Sequence, residues 1–123
     1  MGSQKLRILI VEDSKLIADR LINVLKELDR VEVVAHAGTY GEALTLLEKE
    51  TPDVLLLDIG LPDKSGIYLL QAVKLNKWKT KVLVITNEAN EFYKRLCLRI
   101  GADAFLDKTN EFEKIADILT KIQ

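Results

Sequence analysis

The sequence predicts an α/β fold: a doubly wound, five-stranded parallel sheet in the order 2-1-3-4-5, covered by five helices. Three observations lead there. Short β-branched or leucine-rich runs alternate strictly with segments of helical period. Runs such as "VLLL" (Val54–Leu57) and "VLVI" (Val82–Ile85) are apolar at every position, as strands covered on both faces are. The chain's 123 residues suffice for one domain with a real core and are too few for two. A single domain over residues 1–123, with its core at about 5–122, is the expectation.

Each element follows in order. "LRILIV" (Leu6–Val11) reads as the first strand, and Ser14–Leu28 as a helix with Ile17, Leu21, Val24, Leu25 and Leu28 on one face. "VEVVAHA" (Val31–Ala37) is the second strand. Thr39 with Glu42 three residues on resembles a capping box and opens the second helix. The third strand is "VLLLD" (Val54–Asp58), followed by a helix over Ser65–Asn76; the fourth is "KVLVIT" (Lys81–Thr86), followed by Asn90–Ile100, which Gly101 closes. "DAFLD" (Asp103–Asp107) is the fifth. Asn110 with Glu113 suggests a cap for the last helix, whose apolar stripe is Phe112, Ile115, Ala116, Leu119 and Ile122. Such alternation implies right-handed βαβ crossovers.

Composition narrows the function. A hydrophobic content of 48% with 30% charged residues is that of a soluble globular protein, and a net charge of −1 gives no electrostatic case for nucleic acid or an anionic membrane. No apolar run approaches the ~18 residues of a membrane span, and no signal-like segment opens the chain. The one cysteine, Cys97, excludes an internal disulfide and fits a reducing, cytoplasmic setting.

Open sheets of this class bind ligands outside the carboxyl ends of their strands, where strand order reverses. Here the first strand runs into Glu12-Asp13, the third ends in Asp58, the fourth in Thr86, and the fifth leads to Lys108. Singly, each has an ordinary reading: Asp13 as a helix cap, Glu12 as a loop charge, Thr86 as a hydroxyl bonded to local backbone, Lys108 as a solvated lysine. Together they place three acids, a hydroxyl and a cation on one sheet edge. Crowded carboxylates repel unless a cation joins them. An all-oxygen set without His or Cys suits a hard cation, Mg²⁺ foremost, because it pairs carboxylates with phosphate. A carboxylate can also act as a nucleophile toward a phosphoryl group, and Asp58 at the centre is the best placed. Lys108 would add positive charge and Thr86 a hydrogen bond.

With these residues in view, the chain resembles the CheY-like response-regulator receiver domains of two-component signalling, which have the flavodoxin-like fold. The acid pair falls on Glu12-Asp13 and the phosphoacceptor on Asp58, with Pro62 four residues on and Gly66 eight on; the hydroxyl falls on Thr86, "GAD" on Gly101–Asp103 and the lysine on Lys108. The resemblance implies a phosphoprotein that takes its phosphoryl group from a histidine kinase or histidine phosphotransfer protein onto Asp58. It implies Mg²⁺ held by Glu12, Asp13, Asp58 and the carbonyl of Gly60. It further implies a switch in which the Thr86 hydroxyl moves inward and Phe105 rotates, read out on the surface of the fourth helix, fifth strand and fifth helix.

Asn87, Glu88 and Gly60 fall where side chains tune the lifetime of the phosphorylated state, and Leu16 where partners dock on the first helix. Thr109 follows Lys108 where the family usually has proline, so that peptide either is trans or stores strain. The output is a separate protein, a second copy or a C-terminal output domain, with no direct nucleic-acid or membrane contact by this domain. Enzymatic activity is confined to self-phosphorylation and self-dephosphorylation. Two alternatives share parts of the pattern: an interaction module that works without phosphorylation, and an Asp-nucleophile phosphatase. The phosphatase reading lacks an acid two residues after Asp58, where Gly60 stands; a flavodoxin-type nucleotide site lacks glycines in "VEDSKL". His36 and Cys97 read as structural residues.

Overall fold

The computed structural model describes residues 5–122. It contains β1 (Leu6–Val11), α1 (Lys15–Lys26), β2 (Val31–Ala37), α2 (Tyr40–Glu50), β3 (Val54–Leu57), α3 (Gly66–Leu75), β4 (Lys81–Thr86), α4 (Glu91–Ile100), β5 (Ala104–Asp107) and α5 (Lys114–Ile122). All strand pairs are parallel, in the order β2-β1-β3-β4-β5. Both the alternation and the strand order expected from the sequence are present.

The fully apolar strands have the predicted cause. Successive side chains point to opposite faces, so Leu9, Val11, Leu55, Leu57, Val82 and Val84 join a core with Ala43 and Leu47 of α2, Leu69 and Val73 of α3, and Cys97 of α4. Ile8, Ile10, Val54, Leu56, Leu83 and Ile85 join a second core with Leu21 and Leu25 of α1 and Ile115 and Leu119 of α5. Helices thus cover both faces and leave the carboxyl edge of the sheet open. The buried thiol of Cys97 has its pKa pushed up by burial, as befits a packing residue.

Local chemistry sets the element ends. Ser14, Thr39, Ser65 and Asn90 each cap a helix by accepting a backbone N–H two or three residues on. In the Thr39–Glu42 pair, the Glu42 carboxylate takes the Gly38 amide and the Thr39 hydroxyl rather than the Thr39 amide, a capping box shifted by one residue. Gly101 ends α4 at φ 128°, a left-handed conformation that suits glycine. Gly66 packs where a Cβ would stand 2.5 Å from the Asp58 carbonyl oxygen, so α3 approaches the end of β3 more closely than any side chain allows.

Several expected boundaries move. β3 ends at Leu57 and β5 begins at Ala104, each one residue inside the predicted span. α1 stops at Lys26 rather than Leu28. α5 begins at Lys114, and Asn110 is not its cap: the Asn110 amide donates to Asp107 Oδ2 at 3.0 Å, and the segment from Lys108 to Glu113 forms turns. That connection is tied by its own polar groups. The Asp107 carboxylate accepts the Thr109 amide at 2.9 Å, Glu111 Oε1 accepts the Asp107 amide at 3.0 Å, and the Glu111 amide donates to the Asp107 carbonyl at 2.8 Å. No cis peptide occurs among the described residues, so Lys108–Thr109 is trans.

Candidate functional site

Strand register builds the site. Val11 pairs with Leu57 across β1 and β3, so the next residue of each strand, Glu12 and Asp58, leaves the sheet at the same level. Each key residue extends the ladder one step past its strand: the Glu12 amide donates to the Ala37 carbonyl at 2.9 Å, Asp58 to Val11 at 2.9 Å, and Lys108 to Thr86 at 3.0 Å. The backbone is therefore fixed where the side chains turn outward. Glu12, Asp58, Thr86 and Lys108, together with Asp13, Ser14, Ile17, Gly60, Asn87 and Glu88, line a cavity of about 220 Å³ at the sheet edge.

The side chains interlock. Lys108 Nζ lies 2.7 Å from Glu12 Oε1 and 2.9 Å from Asp58 Oδ2, and all three residues are at least 90% buried. The second oxygen of each acid is also used: Asp58 Oδ1 accepts the Gly60 amide at 3.0 Å, and Glu12 Oε2 accepts the Ser14 amide at 3.0 Å. Asp13 is exposed, and one carboxylate oxygen each from Glu12, Asp13 and Asp58 lie within 4.8 Å of one another.

Charge is unbalanced here: three carboxylates face one ammonium. Burial, and after it the nearby Asp58 charge, push the Glu12 pKa above the ordinary carboxylate value against the pull of Lys108. Burial works to discharge Lys108, but its bonds to Glu12 and Asp58 prevail and its pKa is raised. A divalent cation would restore neutrality, and the all-oxygen donor set with its exposed member, Asp13, fits a hard ion that keeps part of its water.

The other predicted residues distribute as follows. Thr86 is buried and its Oγ1 accepts the Glu88 amide at 3.1 Å. Asn87 and Glu88 are exposed at the mouth of the cavity, and Glu88 Oε1 lies 3.3 Å from where a Cβ on Gly60 would stand. Phe105 does not line the cavity; it pairs in register with Val84 and is buried in the core beneath the site. Leu16 is 80% exposed on α1, while Ile22, which the sequence also places off the buried stripe, is half-buried against the second core.

Some neighbours were not singled out for the site. Ser14, rather than Asp13, caps α1, with its Oγ accepting the Ile17 amide at 3.3 Å. His36 Nε2 lies 2.8 Å from the Glu12 carbonyl oxygen, a hydrogen bond that needs the proton on that nitrogen. Its place on the edge strand β2 agrees with the structural role read from the sequence.

Comparison with known proteins gives one answer at the level of sequence and fold. The family model for the response regulator receiver domain matches residues 8–120. The transcriptional regulatory protein CpxR of Escherichia coli (strain K12) is 38% identical over 117 residues, which cover 91% of this chain and 47% of CpxR. A protein-glutamate methylesterase/protein-glutamine glutaminase of Clostridium acetobutylicum is 32% identical over 123 residues, covering 96% of this chain and 36% of that protein. The chain therefore spans about half or less of the length of these relatives. Among solved structures, the signal receiver domain of NarL from Mycobacterium tuberculosis superposes with a TM-score of 0.89 at 28% identity, covering 97% of this chain and 96% of that one. The response regulator domain of Thermotoga maritima CheB gives 0.83 at 26% identity, with 97% and 93% covered. A family match that spans nearly every strand and helix, on a sheet of the same order, places the chain among the response regulator receiver domains.

Proposed function

We propose that this receiver domain is a phosphoacceptor and that Asp58 takes the phosphoryl group. One observation carries the reading: Asp58 lies at the open sheet edge between a buried ammonium and two further carboxylates. Glu12, Asp13, Asp58 and the Gly60 carbonyl would hold Mg²⁺, which when bound neutralises phosphoryl oxygens and orients the donor.

The chain's own residues do the rest. An Asp58 carboxylate oxygen attacks phosphorus, and the phosphorus–nitrogen bond of a phosphohistidine donor breaks with its electron pair going to the imidazole. Lys108, already 2.9 Å from Asp58 Oδ2, exchanges part of its bonding to the acids for a phosphoryl oxygen. Thr86 turns its hydroxyl from the Glu88 amide toward the phosphoryl group, and Phe105 repacks beneath it. With Phe in place of a phenol, the change is read by packing alone. Asn87 and Glu88 at the mouth govern how water reaches the acyl phosphate and so how long it lasts.

The donor in this reading is a histidine kinase or histidine phosphotransfer protein, docking beside Leu16 on α1. The readout surface is α4, β5 and α5, where Phe92 and Leu98 of α4 are exposed and available to an output protein, an output domain or a second copy of the chain. The described residues would act as one receiver unit whose only catalysis is its own phosphorylation and dephosphorylation. Among the described residues no helix is long and apolar enough to cross a membrane. The test is transfer of labelled phosphate from a phosphohistidine protein to the wild type and to Asp58→Asn. Label on the wild type alone supports the reading, and equal label on both refutes it.

A further inference from the structure

The connection from β3 to α3 carries Gly60, and two of its side chains tie it to a different helix. The Asp63 carboxylate lies across the first turn of α2: Oδ1 accepts the Tyr40 amide at 2.8 Å and Oδ2 the Gly41 amide at 3.1 Å. Thr39 Oγ1 takes the next amide, that of Glu42, at 3.2 Å. The first amides of a helix have no partners within it. In α2 they are met by one cap of its own and one borrowed from more than twenty residues on. A carboxylate is also the favoured charge at that end of a helix.

Lys64 adds a second fastening. Its Nζ lies 4.9 Å from the centre of the Tyr40 ring and 4.6 Å from that of Tyr68, so one ammonium faces an aromatic ring of α2 and one of α3. On its other side the loop is held by the Gly60 amide on Asp58 Oδ1 and the Gly66 amide on the Ile59 carbonyl at 2.9 Å. Only Leu61 and Pro62 separate Gly60 from Asp63, so the grip on α2 constrains the Gly60 backbone directly.

We infer that Asp63 is a positioning residue for the cation site: by clamping the loop to the first turn of α2, it holds the Gly60 backbone in register with Asp13 and Asp58. The inference rests on the Mg²⁺ reading of the site given above. Asp63 itself touches neither the cation ligands nor Lys108. It acts through the backbone, as the partners behind metal ligands do when they fix the geometry of a site.

The test is a magnesium chloride titration of the isotopically labelled full chain, followed at the Gly60 amide by NMR. Four proteins are compared with the wild type: Asp63→Ala, Asp63→Asn, Thr39→Ala and Asp13→Asn. Thr39→Ala removes a cap from the same helix without touching the loop, so it separates loop positioning from loss of helix stability. The expected result is a dissociation constant roughly tenfold weaker for Asp63→Ala, an intermediate loss for Asp63→Asn, and little change for Thr39→Ala. Wild-type affinity in Asp63→Ala overturns the inference, as does an equal loss in Thr39→Ala. If Asp63→Ala fails to fold, wild-type affinity in Asp63→Asn overturns it. Asp13→Asn binding as tightly as the wild type would instead refute the cation site and remove the basis of the inference.

Discussion

Lys108 Nζ is closer to Glu12 Oε1, at 2.7 Å, than to Asp58 Oδ2, at 2.9 Å, so the ammonium at the end of β5 bridges the ends of β1 and β3. It is the positive charge that lets two buried acids share one end of the sheet. Removing one partner from a buried ionic cluster leaves the others uncompensated. Lys108→Met is expected to lower stability by about 2 kcal/mol at neutral pH without Mg²⁺, a discounted value because the cavity admits water. Urea unfolding at pH 7 checks this, and an unchanged midpoint contradicts it.

Asp13 stands in the opposite relation. It is exposed, makes none of the bonds to Lys108, and adds a third negative charge to the cluster. Asp13→Asn is therefore expected to raise the unfolding free energy modestly, by about 1 kcal/mol or less, in a chelating buffer. Adding Mg²⁺ should raise the wild type's melting temperature and leave the variant's unchanged. Thermal melts with and without the ion decide both. A variant less stable than the wild type in chelator would show that the acids do not strain the site.

The clamp on α2 carries its own pH signature. The Tyr40 amide, followed by that of Gly41, holds the Asp63 carboxyl below its ordinary value of 3.8. A group whose folded pKa is lowered contributes stability above its unfolded value, and that contribution is lost as pH falls through the folded value. The stability gap between wild type and Asp63→Asn should thus be constant from neutral pH down to about 4 and close below it. Paired denaturant titrations across that range measure the gap. One that persists unchanged well below pH 4 would mean the charge on Asp63 plays no part.

Two asparagines that look alike in the sequence behave differently. Asn90 Oδ1 accepts the Tyr93 amide at 2.9 Å and caps α4, whereas Asn110 donates its amide to Asp107 within a turn. Asn90→Ala is expected to cost about 1 kcal/mol. Asn110→Ala should stay within about 0.5 kcal/mol, because its loss leaves both Asp107–Glu111 hydrogen bonds in place, the Asp107 amide on Glu111 Oε1 and the Glu111 amide on the Asp107 carbonyl. Equal losses in chemical denaturation would restore Asn110 as a cap.

The same pair shows what the sequence could convey. Strands β1, β2 and β4 match their predicted spans residue for residue: in β1 and β4 burial on both faces leaves continuous apolar runs, Ile8–Val11 and Val82–Ile85, whereas β2 at the sheet edge is only partly buried and carries Glu32 and His36. The start of α5 was obscured because Asn110 and Glu113 satisfy the spacing of a cap while Asp107 and Glu111 compete for the same backbone. Thr51 ends α2 at φ 42° without the glycine that would have announced it.

In the site, Glu12, Asp13, Asp58, Thr86 and Lys108 were legible because each follows or closes a strand, so topology alone brings them together. The bond from Lys108 to Glu12 was not, since it depends on side-chain length and rotamer rather than spacing. Asp63 was hidden for a related reason: its partners lie in another helix more than twenty residues away, and no local pattern marks them.

The most direct test of the central claim is the intact mass of the protein after incubation with acetyl phosphate. It is run in Mg²⁺ and in chelator, on the wild type and on Asp58→Asn. A single phosphoryl adduct that needs Mg²⁺ and is missing from Asp58→Asn is the expected result. An adduct of the same yield in Asp58→Asn, or none on the wild type with acetyl phosphate and a phosphohistidine donor alike, would contradict phosphorylation at Asp58.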